Sequence, residues 1–343
     1  MSEIAATSQL VFPRATPPAA GEWTEIAPGI LWLRLALPFA LDHVNIYLLE
    51  DEGGWVAVDT GIADLRTRTI WQELQKTHRL TRLLVTHFHP DHVGLAGWLA
   101  ETANLPLSMS QVEYLMTMNN RHNQEAVGAA SHGDFYRRHG VSEKVIGALL
   151  GRGHSYLRMT TGLPNAYHRL VAGEIVRIGG RDWEIITGGG HAPEQVMLYC
   201  RADAIFLAAD QVLARISPNI GVWPMEPLAD PLGDYLRSLA SLPTEVADDV
   251  LVLPAHNLPF FGLHQRVADL QHHHALRCAE IVAACASEKT TAEVLPVLFP
   301  RLLDPHQMGF AFGEVLAHVN HLVRQGELVS GSDASGLLRF VRA

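Results

Sequence analysis

Residues 82–101, RLLVTHFHPDHVGLAGWLAE, decide the reading of this chain. The apolar run RLLV has the length of a buried strand, and it stops on a cluster of three histidines and one aspartate within six residues. In an extended segment residues two apart share a face, so His87 and His89 point one way while Phe88 turns to the core. Pro90 ends the strand, and Asp91 and His92 follow at the start of a helical stretch. Two pairs of ligand-type side chains are thereby aimed at neighbouring points, an arrangement that suits two metal ions a few ångströms apart. Neutral imidazole and carboxylate are the donors that zinc and similar divalent metals accept, with a position left open for water in a catalytic site.

Four ligands do not complete two ions. The sequence offers three more at the ends of apolar runs: His191 after IITGGG, Asp210 after AIFLAA and His256 after VLVLPA. Sheets layered with helices commonly hold their sites at such strand ends. Outward from the cluster, residues 30–59 alternate short apolar runs with turns, as a strand meander does. Residues 64–77 change to a helical period, and strands return at 174–190, 196–200, 204–210 and 250–257. Strand, helix, strand, helix is the order of an α/β layer protein. Between the two halves, residues of about 108–170 read as a helical insertion, with SMSQVEYLMTMNN and SEKVIGALLGRG each opening on a serine cap. Residues 273–343 read as helix, helix and a two-strand wing, the order of a winged helix. Residues 1–24, with prolines from Pro13 onward, read as a flexible lead-in.

The 343-residue length suits one large domain and a small one. No apolar run approaches the roughly 20 residues of a membrane span. Three cysteines at irregular spacing suggest neither a zinc ribbon nor a disulfide framework, which points to a reducing, cytoplasmic setting. The formal net charge of −10 disfavours a nucleic-acid partner, and residues 275–343 carry six Lys and Arg against seven Asp and Glu. A small-molecule substrate is therefore expected, with a homodimer left open.

VDTG (58–61), THFHPDH (86–92), GGHAP (189–193), AADQVL (208–213) and LPAHN (253–257) together resemble the motifs of the metallo-β-lactamase-fold hydrolases, in their usual order, over roughly residues 25–260 of a domain expected to span 25–272. The resemblance implies an αββα sandwich with the metals at one edge. It implies His87, His89 and His191 on one ion, Asp91, His92 and His256 on the other, and Asp210 bridging, with two zinc ions expected and iron or manganese as alternatives. Asp59 would support the ligands, and Asp91 would also take part in proton transfer. Ala209 departs from the glycine many relatives carry there.

The carboxylate at position 210 resembles the esterase, thioesterase, lactonase and nuclease branches rather than true β-lactamases. The C-terminal segment resembles, more loosely, the β-lactamase-like 2 branch, some members of which cleave single-stranded RNA. The expected activity is hydrolysis of a small ester, thioester or lactone. The alternatives are an endoribonuclease or phosphodiesterase, and an iron-dependent dioxygenase. Met109, Tyr114, Leu115, Met116 and Met118 of the insertion form an apolar set that would either line the substrate pocket or hold the insertion down or form a dimer contact. His43, Asn45 and His273 are further candidates to border the pocket. His318 and His321 read as packing or surface residues.

Overall fold

The computed structural model describes residues 10–123, 130–151 and 155–343. Parts of the expected lead-in (1–9) and insertion (124–129, 152–154) lie outside the described residues.

Four strands, β1 (Trp23–Ala27), β2 (Ile30–Ala36), β3 (His43–Asp51) and β4 (Gly54–Val58), form an antiparallel meander. Three parallel strands extend it: β5 (Leu80–Leu84), β6 (Leu107–Met109) and β7 (His168–Arg169). The crossovers are α1 (Leu65–Leu74), then α2 (Pro90–Val93) with α3 (Ala96–Ala103), then the insertion helices α4 (Gln111–His122), α5 (Ala130–Arg138), α6 (Glu143–Leu150) and α7 (Ser155–Met159). The second sheet runs in the order β12-β11-β10-β9-β8, from β8 (Ile175–Ile178), β9 (Arg181–Gly188), β10 (Gln195–Cys200), β11 (Ile205–Ala209) and β12 (Leu251–Pro254), with α8 (Pro231–Glu245) before β12. The chain closes with α9 (Leu263–Ala284), α10 (Thr291–Leu298), α11 (Pro305–Arg324) and the hairpin of β13 (Leu328–Ser332) and β14 (Leu338–Arg342). Helix α9 runs unbroken from the second sheet into this C-terminal group.

The near-continuous apolar strands follow from burial on both faces. In β2 and β3, Ile30, Trp32, Tyr47 and Leu49 meet Trp183, Ile185, Val196 and Leu198 of the second sheet, forming the layer between sheets. The alternate residues Leu33, Leu35, Ile46 and Leu48 pack outward with Trp71 and Leu74 of α1 and Leu99 of α3. On the far side, Met197, Tyr199 and Phe206 turn out to meet Tyr235 and Leu239 of α8 and the helices that follow. Helix, sheet, sheet, helix is the αββα sandwich expected from sequence. Each fully buried Leu, Val or Phe contributes roughly 1.5–3 kcal/mol, so these layers dominate stability.

Two sequence expectations change. The lead-in is not loose throughout: Val11 pairs with Phe261 in a two-way backbone bridge, 3.3 and 2.9 Å, because Leu10 and Phe12 find apolar cover there. Of the apolar set in the insertion, Met109 and Tyr114 are core residues, Met109 being in strand β6 and Tyr114 stacked on Tyr167 at 3.9 Å. Met118 packs against the same core, whereas Leu115 is 55% exposed. The 3.6-residue period puts Tyr114 and Met118 on one face of α4 and Leu115 on another, which a list of apolar residues does not show.

Candidate metal centre

Every expected ligand lies where a strand of one of the two sheets ends. β5 runs into Val85 and Thr86 and delivers His87 and His89; Pro90 opens α2, whose first turn carries Asp91 and His92. β9 ends before the glycines preceding His191, β11 before Asp210 and β12 before His256. Gly190 has φ +102°, and a Cβ there would stand 2.4 Å from Tyr235 Cβ and 2.6 Å from Pro231 O, so only glycine lets the His191 loop lie against α8.

The seven residues converge. The ligand atoms of His87, His89 and His191 lie within 4.8 Å of one another, and so do those of Asp91, His92 and His256; His87, His92 and Asp210 form a third set that joins the two. His89 Nδ1 is 3.0 Å from His87 Nε2 and 2.9 Å from His191 Nε2. Asp210 reaches both halves, with Oδ2 3.2 Å from His191 Nε2 and Oδ1 3.3 Å from His256 Nε2. Asp91 Oδ2 stands 3.5 Å from His256 Nε2 and 3.7 Å from His92 Nε2, and at 20% side-chain exposure Asp91 is the more open of the two carboxylates.

The outer nitrogens fix the tautomers. His92 Nδ1 donates to Asp59 Oδ2 (2.8 Å), His191 Nδ1 to the Asn219 carbonyl (2.8 Å) and His256 Nδ1 to the His43 carbonyl (2.7 Å). Thr86 donates its hydroxyl to Asp59, so its oxygen accepts from His87 Nδ1 at 3.0 Å. In its neutral form each of these four imidazoles turns a lone pair toward the centre. Against the effect of burial, the carboxylates of Asp91 and Asp210 hold His92 well above the ordinary histidine range and raise His256, so the cluster draws positive charge, a proton or a metal ion, between its donors. His92 Nε2 and Asp210 Oδ1 are buried without a hydrogen bond among the described residues, as donor atoms of a metal site would be. Burial, reinforced by the neighbouring imidazoles, holds His87 and His89 well below the ordinary histidine range, so both are neutral and able to ligate. The donor set fits divalent metal.

Support around the ligands came in part from residues the sequence did not single out. Asp59 also accepts from Thr86 N (2.8 Å), fixing the strand end beside His87. Buried Glu113 of α4 accepts from Phe88 N (2.9 Å) and Glu194 N (2.6 Å), tying the His87/His89 segment to the His191 loop; burial raises its carboxyl to about 7. His43 does not reach the ligand cluster as a ligand: its Nε2 accepts from Asn257 N (2.9 Å), while Asn45 donates to Pro254 O and Asn257 O, so both hold the loop that carries His256. In the HHH run it is His274, not His273, that is buried and turned toward the loop behind His191. The sequence signals for Glu113 and Asn219 were absent, since a glutamate in a helix and an asparagine in a loop are common surface residues.

Asp59, Ala209 and Asn257 have φ of 66°, 46° and 67°, the left-handed region, and all three stand in or beside ligand motifs. A surface hollow of about 420 Å³ along α3, lined by Gly97, Leu105 and Pro164 among others, contains none of the ligands.

Residues 40–256 match the family described as the Metallo-beta-lactamase superfamily. The chain belongs to that superfamily. Residues 278–343 match the Metallo-beta-lactamase-like, C-terminal domain, so the last helices and hairpin belong to a recurring module of metallo-beta-lactamase-like proteins. The structure is similar to that of a beta-lactamase domain protein from Burkholderia ambifaria, 42% identical with a TM-score of 0.89, covering 97% of this chain and 98% of that one. It is also similar to a metallo-beta-lactamase family protein from Thermus thermophilus, 27% identical with a TM-score of 0.80, covering 93% and 100%. An uncharacterized protein from Aquifex aeolicus is 23% identical over 223 residues, 64% of this chain and 87% of its own length. No helix among the described residues is long and apolar enough to cross a membrane.

Proposed function

We propose that this metallo-beta-lactamase superfamily member is a dinuclear metal-dependent hydrolase of a small ester, thioester or lactone with an apolar acyl part. The observation that carries the reading is Asp210, whose two oxygens face the two histidine sets at once. His87, His89 and His191 would hold one ion, Asp91, His92 and His256 the other, with Asp210 between. Two divalent ions there supply a Lewis acid for a carbonyl oxygen and a water that ionises near neutral pH. The chain's part is to keep the imidazoles neutral and oriented. Asp91, on the open side, is placed to pass a proton between the reacting centre and the leaving group.

The acyl preference is supported by exposed apolar side chains beside the loop that holds His191. Leu115 of α4, Trp223 and Met225 are exposed by 55%, 39% and 56%, and Phe310 of α11 by 37%. Trp223 meets Phe310 edge-on at 5.7 Å, and Asn119 of α4 meets Met225 Sδ at 3.5 Å, so insertion, loop and C-terminal helix meet beside the His191 support. Exposed aromatic and methionine side chains grouped in this way suit an apolar substrate group. The acidic balance speaks against a polyanionic substrate.

The test is metal analysis followed by a substrate panel. Protein purified without added metal is expected to carry two zinc ions per chain, or to take up two, and to hydrolyse acyl thioesters, esters or lactones. Preference for a phosphodiester or single-stranded RNA would replace the reading with a nuclease. One iron per chain with oxygen uptake would replace it with oxygen chemistry.

A further inference from the structure

His191 is held from behind by a loop, and the C-terminal helices hold that loop. The carbonyl that accepts from His191 Nδ1 belongs to Asn219, in residues 217–223, which form neither helix nor strand. The Asn219 side-chain amide donates to two acceptors on α11, the Phe310 carbonyl and Glu314 Oε2, each at 3.4 Å. Glu314 is only 2% exposed, and its Oε1 has no hydrogen-bond partner among the described residues.

A second grip lies two residues away. Ser217 Oγ is 3.1 Å from His274 Nε2 of α9, His274 Nδ1 is 3.1 Å from His318 Nε2 of α11, and His318 Nδ1 is 2.7 Å from the Glu314 carbonyl. A carbonyl can only accept, so His318 donates to Glu314 O and, with both rings neutral, His274 donates to His318. Ser217 Oγ, which also reaches the Pro218 carbonyl at 3.1 Å, meets the free Nε2 end of this chain. The backbones also touch: Val222 N donates to Gly313 O at 3.1 Å, and a Cβ on Gly313 would stand 3.1 Å from Val222 O. Arg266 of α9 donates to Leu213 O and Ile216 O. The loop behind the ligand is therefore shaped by α9 and α11 rather than by either sheet.

We propose that Glu314 is a positioning residue for the metal site: through Asn219 it fixes the carbonyl that orients His191, so that the C-terminal helices set the affinity for the ion held by His87, His89 and His191. A buried carboxylate is unfavourable for packing alone, and an apolar side chain of similar size would fill the space without that penalty. An acceptor for the Asn219 amide is what Glu314 adds there. Partners of a ligating histidine commonly change metal affinity by about 10–100-fold when removed.

The inference rests on the two-ion reading above. The experiment measures zinc stoichiometry and both affinities in chelator-stripped full-length protein, by competition with a chromophoric chelator. Wild type, Glu314→Ala, Glu314→Gln, Asn219→Ala and the Glu314→Ala/Asn219→Ala pair are compared. Glu314→Ala and Asn219→Ala are each expected to weaken one ion by about tenfold and spare the other, with the double variant no worse than Asn219→Ala. Glu314→Gln keeps an acceptor oxygen and is expected to retain both affinities. Phe340→Leu in the terminal hairpin loosens the same helices elsewhere and is expected to lower the melting temperature of metal-free protein without changing either affinity.

Wild-type affinities in Glu314→Ala, additive losses in the double variant, or an equal loss in Phe340→Leu would each overturn the proposal while leaving the two-ion reading intact. If Glu314→Ala does not fold, Asn219→Ala and Glu314→Gln carry the comparison. A wild-type protein that binds no zinc, manganese or iron would remove the two-ion reading and this inference with it.

Discussion

Individual residues at the centre show how local strain serves geometry. Ala209 sits at φ 46°, one residue before the carboxylate that faces both histidine sets, and its carbonyl accepts from Ala255 N at 2.9 Å. The parallel register between β11 and β12 shifts at this point, which turns Asp210 out of the strand and toward the centre. An L side chain in the left-handed region is unfavourable by roughly 1–2 kcal/mol, offset in glycine by a greater loss of chain entropy on folding. Ala209→Gly is accordingly expected to stabilise the metal-free protein by up to about 1 kcal/mol, read as a higher denaturant midpoint at unchanged slope. A lower midpoint would show that the alanine methyl is needed for packing. The departure from glycine noted in the sequence is thus a strained position that the neighbouring strand holds in place.

At the scale of elements, α4 is the piece that ties the two sheets' loops together. Ser110 donates its hydroxyl to the Glu194 carbonyl (2.8 Å), Val112 N donates to the Glu194 carboxylate (3.0 Å), and Glu113 accepts from Phe88 N and Glu194 N. The helix N-terminus thus receives its negative partner from the loop that carries His191, as a capping side chain would supply it. Glu113→Gln keeps the shape but replaces one acceptor by a donor facing a backbone N–H. A buried unsatisfied donor is worth about 1–3 kcal/mol. The variant is expected to lose stability of that order and hydrolytic activity with it, measured by chemical denaturation and kcat/KM. Full stability and activity would mean that the clamp is dispensable. The α4 sequence reveals a capped amphipathic helix, but not that its first turn bridges two ligand loops, because its partners lie 25 and 81 residues away.

Across the whole molecule, the insertion is joined to the C-terminal helices through His139, and those helices to one another through His318. His139, just after α5, pairs with Thr291 Oγ1 of α10 at 2.9 Å, and its carbonyl accepts from Ala292 N. Burial pushes His139 and His318 down to about 4. Because the folded-state value is depressed, the unfolded chain binds a proton that the folded one refuses below about pH 6.5. Their contribution to stability is present above that pH and is lost as pH falls toward 4, by roughly 3 kcal/mol per ring at the limit. Stability of metal-free protein is expected to fall over this window, and His139→Gln to flatten the fall. A pH-independent midpoint between 6.5 and 4, or the same slope in His139→Gln, would contradict the assignment.

The layers and the candidate ligand cluster are legible in the sequence. Period-two and period-3.6 apolar patterns are local, and HxHxDH with strand-terminal His191, Asp210 and His256 is a constellation that chemistry restricts to few uses. The support is not legible there: the acceptors behind His87, His92, His191 and His256, the bridge made by Glu113, and the reach of Glu314 and His274 to the loop behind His191. Those residues are ordinary in composition and distant in sequence. Their meaning comes from packing that brings α4, α9 and α11 against the ligand loops, and no local period encodes that contact.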